Sequence, residues 1–417
     1  MKILFFSVAP VKLNDVDAGI NGFSWISSTL RVLQKWENVE IAISFISDKL
    51  EPEETCGNIR IIPIFVARTI WQRYTIDKIS LDSIDEVIIR ESIEIVQRCK
   101  PDIIHIFGTE WCFGSLVNHV DVPIIIHMQG FWNQYRNCNF LPGEGYCTRL
   151  INSLSKPLLF LYQLYNRRLS KCRAEREERI LRQNTYFMGR TKWDKALVFL
   201  YNKRAKYFHV EEALRSNLLE GAPKCQKSDV FTLATIGSCQ PLKGPDVALK
   251  TAYLLKQNSG LAYKWLWIGG DYQDMEYFEH LSGIKCSEVN IIMMGRKNSN
   301  EIKELLSSTN LYVQPSYADN SPNALCEAQC MGLPIIASYA GGIPSLFSDS
   351  YDNDLLVPIN DPYVLASRII ELMTNEERML RLGEDNRSFA FSRNNEQNVS
   401  RQLYYAYKET INDYTKC

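Results

Sequence analysis

Short apolar runs alternate with amphipathic segments along the whole chain, and this alternation limits the possible folds more than any other feature. The first half holds KILFFSVA, VEIAISFIS, IRIIPIFV, PDIIHIFG and VPIIIHMQG; the second holds FTLATIG, YKWLWIGG, NIIMMG, NLYVQPS, LPIIASY and DLLVPI. Each run is apolar at successive positions, as a strand must be when helices cover both faces of a parallel sheet. The segments 23–36, 246–256, 301–307 and 362–373 carry apolar residues three and four apart, the helical spacing. The alternation predicts an α/β protein with doubly wound parallel sheets. A chain of 417 residues is too long for one ordinary core and suits two domains. The array restarts after the polar stretch LLEGAPKCQKSD at 218–229. The expected domains are therefore 1–222 and 223–393, with a closing helix over 394–417 that completes the first.

Composition narrows the function. A formal net charge of -1 argues against nucleic acid as a partner of the whole chain. The N-terminal MKILFFSVAP is stopped too soon by Pro10, Lys12, Asn14 and Asp15 for a signal peptide, so it reads as a first buried strand. No apolar stretch reaches the ~18 residues of a membrane span. Twelve scattered cysteines without CxxC spacing suit a reduced, cytoplasmic setting. Five histidines (His105, His119, His127, His209, His280) show no ligand spacing, so no protein-held metal is expected.

The most informative segment is 311–344, LYVQPSYADNSPNALCEAQCMGLPIIASYAGGIP. LYVQPS is a strand stopped by Pro315. Ser321 suits an N-cap and Pro322 the first helical position, so a short helix is expected over Asn323–Met331, ended by a left-handed Gly332. A helix that begins at the carboxyl end of a parallel strand is where open α/β sheets bind ligands. The amides of Asn323, Ala324 and Leu325 are candidate phosphate donors. Asp319 precedes the helix, and Glu327 shares a face with Asn323 four residues earlier. Carboxylates so near a phosphate site make chemical sense facing uncharged hydroxyls, such as those of a sugar and a ribose.

Asp319-x7-Glu327, followed by EAQCMGLPII and by GGIP at Gly341–Pro344, resembles the signature of the retaining glycosyltransferases with two facing Rossmann-like domains, the GT-B architecture of family 4 type. The resemblance covers most of 229–375. That family has Glu at the first acid, where this chain has Asp. TIGSCQPLKG at 235–244 matches a family loop in which an Arg and a Lys neutralise a diphosphate; Lys243 matches the Lys, and Ser238 stands at the Arg position. Arg190 and Arg296 are the candidates for a replacement cation. The resemblance implies Asp319 on the donor sugar, Glu327 on the ribose, and Lys243 with the 323–325 amides on the diphosphate. It also implies retention at the anomeric carbon, a UDP- or GDP-linked donor, no cofactor and no metal requirement.

The first half matches less closely. Gly19 and Gly22 follow the first strand; two readings fit, a loop approaching a phosphate or acceptor and an ordinary glycine turn. Gln129 stands where the family often has His, with His127 two residues earlier. GRTKWDKA and EEALR resemble segments of polysaccharide-locus members, and Arg190 there is read equally as a cleft residue or as an ordinary surface or salt-bridged arginine. Residues 149–182 hold nine Lys/Arg against three Asp/Glu beside PLLFLYQLY. This stretch fits peripheral contact with an anionic membrane surface as well as it fits a helix packed on the first domain. The function expected is transfer of a hexose from an NDP-sugar to a glycan or lipid-linked oligosaccharide hydroxyl, in cell-surface polysaccharide synthesis. The alternatives are an inactive sugar-nucleotide-binding partner subunit and a sugar-nucleotide epimerase of the same fold.

Overall fold

The computed structural model describes residues 1–7, 24–66, 82–138, 141–142, 157–214, 218 and 230–416. Among these, 1–7, 26–211 and 396–416 form one compact unit, and 212–395 with 24–25 the other. The division falls between Glu211 and Glu212 rather than after 222. One reason is local: the Asn394 side chain donates to the Glu212 carbonyl at 2.8 Å, which ties Glu212 into the second unit. Of the polar stretch 218–229, only 218 lies within the described residues.

The first unit contains β1 (Lys2–Ser7), α1 (Ser24–Gln34), β2 (Glu40–Ser47), β3 (Glu54–Cys56), β4 (Ile59–Phe65), α2 (Asp82–Cys99), β5 (Ile103–Phe107), β6 (Ile124–His127), α3 (Trp132–Asn137), α4 (Pro157–Gln183), β7 (Tyr186–Gly189), α5 (Lys192–Tyr201) and β8 (Lys206–His209). The strand order is β3-β4-β2-β1-β5-β6-β7-β8. All pairs are parallel except β3 with β4, an antiparallel edge hairpin turned at Gly57 (φ 61). The sequence patterns did not yield β3, β7 or β8. These are runs of three or four residues, and β8 is partly exposed along its length.

The second unit contains β9 (Phe231–Ile236), α6 (Pro245–Asn258), β10 (Tyr263–Ile268), α7 (Tyr272–Ser282), β11 (Ile291–Gly295), α8 (Ser299–Ser307), β12 (Leu311–Gln314), α9 (Asn323–Cys330), β13 (Ile335–Ser338), β14 (Leu356–Val357), α10 (Pro362–Met373) and α11 (Glu376–Asn394). Its parallel sheet runs β11-β10-β9-β12-β13-β14. Trp265 and Trp267 of β10 are fully buried, and each indole N–H is satisfied within the unit, on Thr235 Oγ1 and the Gly237 carbonyl, both at 3.0 Å. The two sheets are the doubly wound α/β layers expected from the alternation.

The last helix, α12 (Glu396–Tyr414), packs on the first unit. It buries Val399, Leu403, Ala406 and Tyr407. The Tyr407 hydroxyl lies 2.6 Å from His105 Nδ1, and Glu396 pairs with Arg31 at 2.7 Å. Burial, with His127 adding a like charge if protonated, holds the His105 ring well below its usual range, so it stays neutral.

Candidate functional site

In the second unit β9 and β12 are neighbours although β10 and β11 lie between them in sequence. The strand order turns back at this pair, so their loops diverge at the carboxyl edge and leave a crevice suited to a ligand. The loops are also locked together. Tyr317 N donates to the Leu242 carbonyl at 2.8 Å. Gly244 closes the first loop at φ +73, and a Cβ there would stand 2.0 Å from the Pro315 carbonyl oxygen. Only glycine meets both demands. The approach brings Lys243 Nζ to 2.5 Å from Asp319 Oδ2, the side chains being 22% and 9% exposed.

Asp319 is held from several directions. Ser316 Oγ and Gln314 Nε2 lie 3.4 and 3.5 Å from the same Oδ2, and the Tyr312 hydroxyl donates to Gln314 Oε1 at 2.7 Å. The Asp319 carbonyl accepts from Gly342 N at 2.9 Å. Gly341 (φ +54) packs so closely that a Cβ would lie 2.1 Å from that carbonyl. The GGIP stretch thus fixes the backbone beneath the acid. The polar side chains of Tyr312, Gln314 and Ser316 were missed from sequence; the available signal was a glutamine at the end of an apolar strand and a serine just beyond it.

The helix signals need one correction. The N-cap is Pro322, without a side-chain bond, rather than Ser321, and α9 runs Asn323–Cys330. Leu325 N donates to the Pro322 carbonyl at 3.1 Å, so that amide is engaged within the first turn of the helix. Gly332 is left-handed (φ 73) as expected; its N–H bonds Gln329 O, and that of Leu333 bonds Ala328 O, the Schellman closure. Glu327 is buried at 2% exposure. After burial, the charges of Asp319 and Glu327 both help push the Tyr312 hydroxyl up, so both acids lie within electrostatic reach of that ring.

Ser238 is exposed on the loop after β9. Arg296 is exposed beyond β11, the far edge strand from β12. Arg190 lies in the first unit after β7 and is only 4% exposed, which leaves the cleft and salt-bridged readings. Gly19, Gly22 and residues 149–156 of the basic stretch lie outside the described residues, and the rest of that stretch lies in α4. No helix among the described residues is long and apolar enough to cross a membrane.

The first unit has two acids at its own carboxyl edge that sequence reasoning passed over, Glu110 half-buried and Glu177 buried. Glu110 Oε1 accepts from Gly130 N at 3.0 Å, bridging the loops after β5 and β6. Gly108 (φ +79) gives the carboxylate room, since a Cβ there would lie 1.8 Å from Oε2. Glu177 of α4 accepts from Thr109 Oγ1 at 2.6 Å and from Asn133 N at 3.3 Å. Burial, joined by the Glu110 charge, pushes the Glu177 carboxyl up to about 8. A carboxyl raised in the folded state stabilises it fully below the unfolded pKa near 4.5 and loses that contribution as pH rises through about 8. The contribution is on the order of a few kcal/mol. Wild type should therefore lose Tm between pH 5 and pH 8.5 more steeply than Glu177→Gln. Parallel slopes in thermal melts of the two proteins would refute the assignment.

Both sheets and their order define the chain as a two-unit α/β protein of the GT-B fold. A sucrose-phosphate synthase from Thermosynechococcus elongatus matches with TM-score 0.73 over 99% of both chains at 15% identity. HepE of Anabaena, solved with UDP and glucose, matches with TM-score 0.63 over 97% of this chain and 98% of that one at 13% identity. Residues 222–389 match the family model of glycosyl transferases group 1, so the second unit is a domain of that transferase group. A Salmonella typhimurium protein named as a colanic acid biosynthesis glycosyltransferase, WcaL, is 30% identical over 135 residues, 31% of this chain and 32% of its own. The chain spans about a third to two fifths of the length of the curated relatives it matches.

Proposed function

We propose that the protein is a retaining glycosyltransferase that moves a hexose from a UDP- or GDP-linked donor to a hydroxyl of a glycan or lipid-linked oligosaccharide, at the cytoplasmic face of the membrane where cell-surface polysaccharide is made. The observation that carries this reading is the Lys243–Asp319 pair at the turn-back point of the sheet, in a domain of the glycosyl transferases group 1. The UDP and glucose in HepE and the name of WcaL support the donor class and the pathway.

In the proposed step the bond from C1 to the diphosphate oxygen breaks, and the acceptor oxygen bonds C1 on the same face. The acceptor proton passes to the leaving phosphate oxygen. Lys243 and the first amides of α9 face the negative charge that grows on the diphosphate; fixed positive groups there lower the barrier. These groups supply the neutralisation without a metal. Glu327 takes the ribose hydroxyls and Asp319 those of the donor sugar. The Lys243–Asp319 contact keeps both charges compensated before the donor arrives.

Thermal melts with UDP-, GDP- and ADP-sugars test the reading. One nucleotide family should raise the Tm of wild type, by the equivalent of about 2.7 kcal/mol at a hundredfold excess over Kd. The rise should vanish in Glu327→Ala. The same donor should give a product of retained anomeric configuration by NMR, with turnover unchanged in EDTA. No shift with any nucleotide, in a wild type that melts cooperatively, would remove the reading.

A further inference from the structure

The amino edge of the first unit's sheet carries a cavity that the proposed transfer does not use. It lies beside α12, where Met1 and Val39 lead into β1 and β2, and holds about 730 Å³. Small-molecule sites span roughly 300–1,000 Å³. One wall is aromatic: the Trp36 and Tyr404 rings meet edge to face with centroids 5.6 Å apart, and Tyr404 is 51% exposed. The Trp36 N–H is taken up by Ser400 Oγ at 2.6 Å. Arg401 and Lys408 of α12 line the same cavity, and neither makes an ion pair among the described residues. They stand seven positions apart on the helix, about 10 Å along its axis. The guanidinium donates to Asn398 Oδ1 at 2.9 Å, and the ammonium lies 5.6 Å from the Tyr404 ring centroid. Both lean towards the start of the helix, so the two charges stay apart. Glu37, Asn38, Gln397 and Asn412 complete the polar lining, and all four are exposed.

These features select one chemistry. Two separated cations suit an extended anion with spaced charges better than one compact phosphate. Glu37 repels a polyphosphate or a nucleic acid, yet it accepts from hydroxyls, and the three amides both donate and accept. The aromatic wall offers a flat surface to the C–H face of a pyranose. An apolar partner would desolvate Arg401, Lys408 and the amides and return nothing to them. We propose that this cavity binds an acidic oligosaccharide, with carboxylates on Arg401 and Lys408, a pyranose ring against Tyr404, and hydroxyls on Glu37 and the amides beside it. That this oligosaccharide is the growing product rests on the transferase reading above; the binding itself does not.

The test is isothermal titration calorimetry of the full chain with tetrasaccharides of galacturonic acid and of hyaluronan, beside maltotetraose and inorganic tripolyphosphate. Wild type should bind at least one acidic tetrasaccharide, more weakly as salt rises, and more tightly than either control. Arg401→Gln combined with Lys408→Gln should weaken that binding about tenfold or more at unchanged Tm, since both side chains are exposed. Tyr404→Leu should weaken it too and leave the salt dependence in place. Binding of neither acidic tetrasaccharide overturns the proposal, as does binding unaltered in the double variant. Tripolyphosphate held as tightly would make this a general anion patch, and maltotetraose held as tightly a neutral-sugar surface; either overturns it. Nucleotide-sugar melts of the same samples separate the two readings. A nucleotide shift without acidic-glycan binding sinks this site alone, and glycan binding without a nucleotide shift sinks the transferase alone.

Discussion

Asp319→Asn is expected to lower kcat/KM by about 10²–10³-fold while leaving nucleotide affinity nearly unchanged. The substitution keeps the shape of the side chain, so Ser316 and Gln314 still meet an amide of similar size. It removes the negative charge that faces Lys243 at 2.5 Å. A charge-assisted hydrogen bond in a half-buried place is worth about 1.5–3 kcal/mol, and the ammonium left behind loses its only named counter-charge in that contact. In the proposed step the same oxygen also orients the donor sugar. Positioning lost at the reacting centre lowers turnover, whereas ribose and base contacts keep binding intact. Steady-state kinetics beside a nucleotide titration decides the matter. If nucleotide affinity and Tm fall together with turnover, Asp319 serves the loop rather than the sugar.

Gly244→Ala should destabilise the second unit by roughly 3 kcal/mol or more. Gly283, at the end of α7, is the control. Both glycines are left-handed, at φ 73 and 67. An added Cβ at Gly283 meets nothing within 4 Å, so its alanine variant carries only the backbone strain, about 1–2 kcal/mol. At Gly244 the same Cβ would lie 2.0 Å from the Pro315 carbonyl oxygen, which belongs to backbone and cannot swing aside. Relief requires the two loops to part, and that separates Lys243 from Asp319. Denaturant unfolding of the two variants should therefore differ by about 2 kcal/mol, with nucleotide binding weakened in Gly244→Ala alone. Equal losses in the two would show that the loops yield freely.

Much of the second unit could be read locally because its signals are local. The strands of 231–357 are largely apolar runs, and α9 is closed at Gly332 by bonds from Gly332 N to Gln329 O and from Leu333 N to Ala328 O. The first unit was less readable for a physical reason. Its β7 and β8 are four residues each, too short for periodicity to separate them from the loops beside them. The acids of its carboxyl edge gave no pattern, since Glu110 and Thr109 meet their partners 20 and 68 positions away. Arg190 was ambiguous because nothing in GRTKWDKA distinguishes a buried guanidinium from a surface one.

By itself the sequence determined that two parallel sheets would form, where α9 would lie, and that Asp319, Glu327 and Lys243 belong to the carboxyl edge of one sheet. Strand and helix propensity, turn glycines and capping act over a few residues, so they are written in order along the chain. Only the tertiary structure decided that Lys243 and Asp319, 76 positions apart, share one contact, and that Trp36 and Arg401, far apart in the chain, line one cavity. Those facts depend on strand order and on how closely loops pack. They are set by the burial of whole sheets, not by any short stretch of residues.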